Sequence, residues 1–189
     1  MNYFKRVNLI GGVPATGKST LMKKIKEELK VDYFFEKDIL KGYADKGKDN
    51  YIFGIYNNEL FDGTDKLSMA VQPKAIEFIQ SKKFKSIFIE GDRLFKKSFI
   101  DTIKSLVDLN IYILNANEEE LKFRHIKRKD EQTESWLNAK KTTVNNIKSN
   151  YPVHMLTNEK PIDMAKNIEY IIQNKNTQLN NPEQVSLFG

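Results

Sequence analysis

Residues 12 to 20 read Gly12-Val13-Pro14-Ala15-Thr16-Gly17-Lys18-Ser19-Thr20, a match to G-x-x-x-x-G-K-[ST] at every required position. Two glycines with four residues between them let successive backbone N–H groups turn inward around a phosphate, where side chains would obstruct. Lys18 then supplies a point charge for the β- and γ-phosphates, and the Ser19 hydroxyl is a ligand for Mg²⁺. Arg6-Val7-Asn8-Leu9-Ile10 reads as a strand before the loop and Ser19 to Lys30 as a helix after it, so a helix N-terminus adds its dipole to the anion site. Binding of ATP with Mg²⁺ follows from this stretch.

The other bounds are broad. A chain of 189 residues suits one domain with a single sizeable core. The absence of cysteine excludes a disulfide framework, thiolate metal sites and a cysteine nucleophile. No apolar run approaches a membrane span and no signal-peptide core opens the chain, so a soluble, cytoplasmic protein without membrane contact is expected. A net charge of +6 favours a polyanionic partner such as nucleic acid, or serves only solubility.

Along the chain, Val31 to Glu36 is rich in β-formers and reads as a second strand whose tip carries Asp38. Open α/β sheets bind ligands at the carboxyl ends of strands, so Asp38 is either the base for an attacking hydroxyl or the cap of a helix starting at Ile39. Lys41 to Asp65 mixes glycines with aromatic residues and has no regular period. Lys66 to Lys82 reads as a helix interrupted at Pro73. Lys85-Ser86-Ile87-Phe88-Ile89 is a buried third strand ending in Glu90-Gly91-Asp92-Arg93, where Glu90 or Asp92 would organise Mg²⁺. Arg93 would contact a substrate phosphate or pair with a neighbouring acid.

A helix over Ser98 to Leu109 precedes a fourth strand, Asn110 to Asn115. In the following helix Arg124 and Arg128 are four apart and share a face, suited to a triphosphate or simply to solvent. Trp136 and Leu137 anchor a further helix over Glu131 to Ser149, with Lys140 and Lys141 on its surface. Tyr151 to Leu156 makes a fifth strand, placed at or near a sheet edge by Pro152, and Pro161 to Ile172 a last helix. From Asn174 the chain is polar and aperiodic, a flexible tail over residues 175–189 that ends in Gln184-Val185-Ser186-Leu187-Phe188.

Five strands alternating with helices predict an α/β three-layer sandwich with a parallel sheet. Residues 1–174 resemble the small P-loop kinases of the nucleoside-monophosphate-kinase-like group, within the P-loop NTPase fold. That resemblance implies strand order 2-3-1-4-5 and a helical lid. Within the group the chain is similar to phage polynucleotide kinases and to phage kinases acting on 5-hydroxymethyluracil in DNA. It implies Asp38 as general base and Arg124 with Arg128 as lid arginines that stabilise the transition state, beside Lys18. The context Glu36-Lys37-Asp38-Ile39 lacks the Arg-Asp pair typical of polynucleotide kinases. The tail resembles the sliding-clamp-binding pentapeptide of replication proteins, through Gln184, Leu187 and Phe188. The expected activity is phosphoryl transfer to a hydroxyl on DNA, in a host cytoplasm if the chain is phage-encoded. A polynucleotide 5′-hydroxyl kinase, a free nucleoside or nucleotide kinase, and a non-catalytic ATP-binding clamp adaptor are the alternatives.

Overall fold

The computed structural model describes residues 5–57, 62–128 and 132–173. Its elements in chain order are β1 (Arg6–Gly11), α1 (Lys18–Glu28), β2 (Tyr33–Lys37), β3 (Leu40–Ala44), β4 (Asn50–Phe53), α2 (Val71–Ser81), β5 (Ser86–Glu90), α3 (Lys97–Ile103), β6 (Asp108–Asn115), α4 (Glu118–Arg128), α5 (Glu134–Asn150), β7 (His154–Thr157) and α6 (Pro161–Gln173), with a 3₁₀ turn at Thr64–Lys66. One seven-stranded sheet runs β2-β3-β4-β5-β1-β6-β7. The five strands from β4 to β7 are parallel, while β3 is antiparallel to both its neighbours.

The five-stranded expectation is therefore corrected to seven. Val31 to Glu36 does contain a strand, but not the second strand of the parallel core. Four of the five β2 residues are exposed, whereas Tyr51, Ile52 and Phe53 of β4 are 6%, 0% and 0% exposed. A strand inside a doubly covered sheet must be apolar on both faces, and β4 meets that demand. Lys37 pairs with Leu40, so Asp38 and Ile39 form a two-residue hairpin turn, with Asp38 at φ 58°. No helix begins at Ile39.

Helices cover both faces. Leu21, Met22 and Ile25 of α1 and Ile171 of α6 pack with Ile10, Ile52, Phe88 and Tyr112 on one side. Phe78 and Ile79 of α2, Phe99 and Ile103 of α3 and Ile147 of α5 pack with Val7, Leu9, Phe53 and Ile89 on the other. Alternation along β1 feeds each core in turn. The helix expected from Lys66 starts at Val71 instead, which puts Pro73 in the first turn, where its missing N–H costs nothing. β7 lies at the sheet edge, as Pro152 predicts. Among the described residues no helix is long and apolar enough to cross a membrane.

Candidate active site

The loop between β1 and α1 folds as its glycines require. Gly12 and Gly17 have φ of 142° and 92°, and Ala15 joins them at 65°. A Cβ on Gly12 would lie 2.5 Å from the Leu114 carbonyl oxygen, so the loop seats directly on the end of β6. Asn158, just after β7, donates to the Thr16 carbonyl at 2.6 Å, and Thr16 donates to the Val13 carbonyl at 2.9 Å. Lys18 Nζ donates to the Gly12 and Val13 carbonyls at 2.9 and 3.0 Å. The ammonium is thus held at the loop mouth, where a phosphate would meet it.

Beside the loop lies a cavity of about 80 Å³ lined by Lys18, Ser19, Asp62, Asp65, Glu90, Asp92, Trp136 and Lys140, among others. Glu90 ends β5 and is 2% exposed. Burial pushes its carboxyl up to about 7, against the pull of Lys18 and of the Ser19 hydroxyl. Ser19 Oγ donates to Glu90 Oε1 at 2.9 Å. Between the two acids that spacing left equal, it is Glu90 that meets Ser19. Asp92 pairs with Lys140.

A hydroxyl and a carboxylate whose charge is poorly compensated fit a Mg²⁺ ion, which prefers oxygen ligands and keeps several waters or phosphates. No three His, Cys, Asp or Glu side chains among the described residues hold a metal alone, so phosphate oxygens and water would complete the shell.

Asp62 and Asp65 are the residues that sequence reading missed. They follow β4, the strand that replaces the expected second one, and so occupy the position assigned to Asp38. The signal was the apolar run Tyr51-Ile52-Phe53 ahead of Asp62-Gly63-Thr64-Asp65, hidden because the aromatic region looked irregular. Asp62 is 3% exposed. Burial works against its charge, yet hydrogen bonds from Lys23, the Asn57 amide and Lys66 hold its carboxyl below the usual range. Asp65 differs: burial, then the nearby Asp92, pushes its carboxyl up, while its Oδ1 accepts the Asp92 N–H at 2.7 Å.

Asp38 stands elsewhere. It lies at the outer edge of the sheet, four strands from β1, or about 19 Å at about 4.8 Å per strand. There it pairs with Lys74 at 3.3 Å, its side chain 57% exposed. Arg124 is also displaced from its expected role. Its Nε donates to Glu120 at 2.7 Å, and its terminal nitrogens donate to the carbonyls of Ala15 at 3.2 Å and Asn158 at 2.8 Å. It clamps α4 to the loop and lines a separate cavity of about 620 Å³ with Gly17, Thr20, Pro161, Met164 and Ile168. That chamber, which Lys24, Glu120 and Lys127 also line, has the room for a nucleotide base. Arg93 donates to the Leu67 carbonyl at 3.4 Å, a tie between loops. Arg128 ends α4, and its side chain is outside the described atoms, as are Gln184, Leu187 and Phe188.

A sequence profile of the family described as P-loop Nucleotide Kinase3 matches residues 3–165. The chain belongs to that family. The chain is 33% identical over 102 residues to a protein named as an ATP-dependent DNA helicase of Acanthamoeba polyphaga mimivirus, a match covering 47% of this chain and 14% of the helicase. It thus spans about one seventh of that relative's length. Among solved structures it is similar to a gluconokinase of Sinorhizobium meliloti, with TM-score 0.50 and 15% identity over 90% of this chain and 98% of the other. A sugar kinase of a Janibacter species gives TM-score 0.47 and 12% identity over 89% and 94%. At such identity the gluconokinase likeness concerns the fold alone.

Proposed function

We propose that this member of the P-loop Nucleotide Kinase3 family transfers the γ-phosphoryl group of ATP to a hydroxyl carried on DNA, the 5-hydroxymethyl group of hydroxymethyluracil in phage DNA being the leading acceptor. The observation that carries phosphoryl transfer is the convergence of Lys18, the Ser19–Glu90 pair and Asp65 on one cavity beside the phosphate loop. Backbone N–H groups of the loop, all but that of Pro14, which has none, and the Lys18 ammonium hold the phosphates. Ser19 and Glu90 would hold Mg²⁺, which would supply charge neutralisation to the phosphates. Asp65 accepts the proton of the acceptor hydroxyl as the new O–P bond forms and the bond from phosphorus to the ADP oxygen breaks. Asp62 is bound by two lysines and is a poorer proton acceptor.

Three features support a DNA acceptor. The chain carries a net charge of +6, its viral relative is named as a DNA helicase, and Trp136 lines the phosphate cavity as a face on which an unstacked base can rest. A base hydroxymethyl within a duplex must be flipped to reach that cavity. The clamp-like tail would raise the local concentration of DNA by tethering. The family's description as nucleotide kinases favours a second reading, transfer to a free nucleotide.

The test offers γ-labelled ATP and Mg²⁺ with hydroxymethyluracil DNA, 5′-hydroxyl DNA and free nucleotides in parallel. Label inside base-modified DNA supports the proposal. Label only on free nucleotides or DNA ends moves the acceptor, and tight ATP binding with no product points to a clamp adaptor.

A further inference from the structure

Arg124, which the resemblance makes a lid arginine with Arg128, has its guanidinium bonded to Glu120 and to the carbonyls of Ala15 and Asn158. Among the described residues lining the phosphate cavity, the cationic side chains are Lys18 and Lys140. Lys140 comes from α5, one turn beyond Trp136, and its Nζ lies 4.9 Å from the Trp136 ring centroid. Its side chain is 23% exposed and pairs with Asp92. Its charge also reaches Asp65, alongside that of Lys18.

We propose that Lys140 is a catalytic residue that leaves Asp92 and contacts the transferred phosphoryl group in the transition state. This rests on the reading of the chain as a phosphotransferase. A triphosphate entering this cavity brings several negative charges to a place already lined by Asp62, Asp65, Glu90 and Asp92. A cation that can move is then drawn from one carboxylate to the phosphoryl oxygens. A lysine suits the task, since its compact ammonium rides on a flexible stem. Trp136 supports that movement: its ring attracts the ammonium in either position and keeps it near the cavity. Asp92 holds Lys140 inside the site before nucleotide arrives, so a positive charge is in place at the moment of transfer.

The test needs no knowledge of the acceptor. Lys140→Met, Lys140→Arg and the surface control Lys148→Met are compared with the unmodified chain in three readouts. These are hydrolysis of Mg²⁺·ATP by water, affinity for a non-hydrolysable ATP analogue, and affinity for ADP with aluminium fluoride, which mimics the transferred group. Thermal unfolding checks that each variant is folded. Expected for Lys140→Met are an analogue affinity within about threefold of the unmodified chain and losses of about a hundredfold in both turnover and aluminium fluoride binding. Lys140→Arg recovers part of each, and Lys148→Met changes neither. Equal loss of the ATP analogue and the aluminium fluoride complex would overturn the assignment, since it marks ground-state binding alone. Unchanged turnover and aluminium fluoride affinity would overturn it as well. An unmodified chain that neither hydrolyses ATP nor gains affinity from aluminium fluoride would refute the phosphotransferase reading itself, and this assignment with it.

Discussion

Glu90 illustrates how a single buried group sets both stability and ligand response. Its folded carboxyl, raised by burial to about 7, binds a proton more readily than the same group in the unfolded chain. Its contribution to stability is thus fully present below about 4.5 and is lost as pH rises through about 7. Glu90→Gln keeps the acceptor for Ser19 and removes the ionisation, so its melting temperature should exceed that of the parent at pH 8 without Mg²⁺ and should match it near pH 4. The same variant should lose the Mg²⁺ dependence of nucleotide affinity in calorimetry. Asp65→Asn is expected to lower transfer to the acceptor by about 10²–10⁴-fold with ATP affinity retained. Asp38→Asn, at the hairpin turn, should leave the rate within about twofold, and a large loss there with none in Asp65→Asn would return the base to Asp38. Arg124→Ala should weaken ATP binding by about tenfold or more while altering the rate at saturation far less, because its bonds to the Ala15 and Asn158 carbonyls brace the phosphate loop. Equilibrium binding and initial rates separate these effects.

At the scale of elements, the segment from β4 to α2 decides whether an acidic site exists. Ile55 and Gly63 bridge across it, with N···O distances of 3.0 and 2.8 Å in the two directions. Gly54, Gly63 and Gly91 have φ of 109°, 87° and 108°, which side chains resist. A Cβ on Gly63 would run into the Glu90 carboxylate. Gly63→Ala should therefore cost about 1–3 kcal/mol in denaturant unfolding and weaken transfer as well, since the same shift moves Asp62 and Asp65. These glycines were visible in the sequence, but their partners were not. A positive φ at residue 63 has meaning only once β5 brings Glu90 against it. The phosphate loop needed no such help, because its partners are its own backbone amides and the helix that follows.

For the whole molecule, the described residues hold two cores, one on each face of the sheet. Removal of residues 175–189 should leave the melting temperature and ATP affinity unchanged, and should abolish any retention on a sliding clamp measured by surface binding. The α/β class, the phosphate loop and the placement of β5 and β7 were legible because they rest on local chemistry: contiguous motif residues, apolar runs and a proline. The second parallel strand and the acids beyond it were not. Val31 to Glu36 and Asn50 to Phe53 are both β-forming, and only competition for the doubly buried place beside β5 separates them. The two-residue turn at Asp38 folds the first onto β3, where water covers much of it, and leaves the more apolar β4 to fill the core. Sequence by itself determined that Gly12 to Thr20 forms a phosphate-loop motif between a strand and a helix. Tertiary structure decided which carboxylates stand beside that loop, since burial and strand order bring together residues that are far apart along the chain.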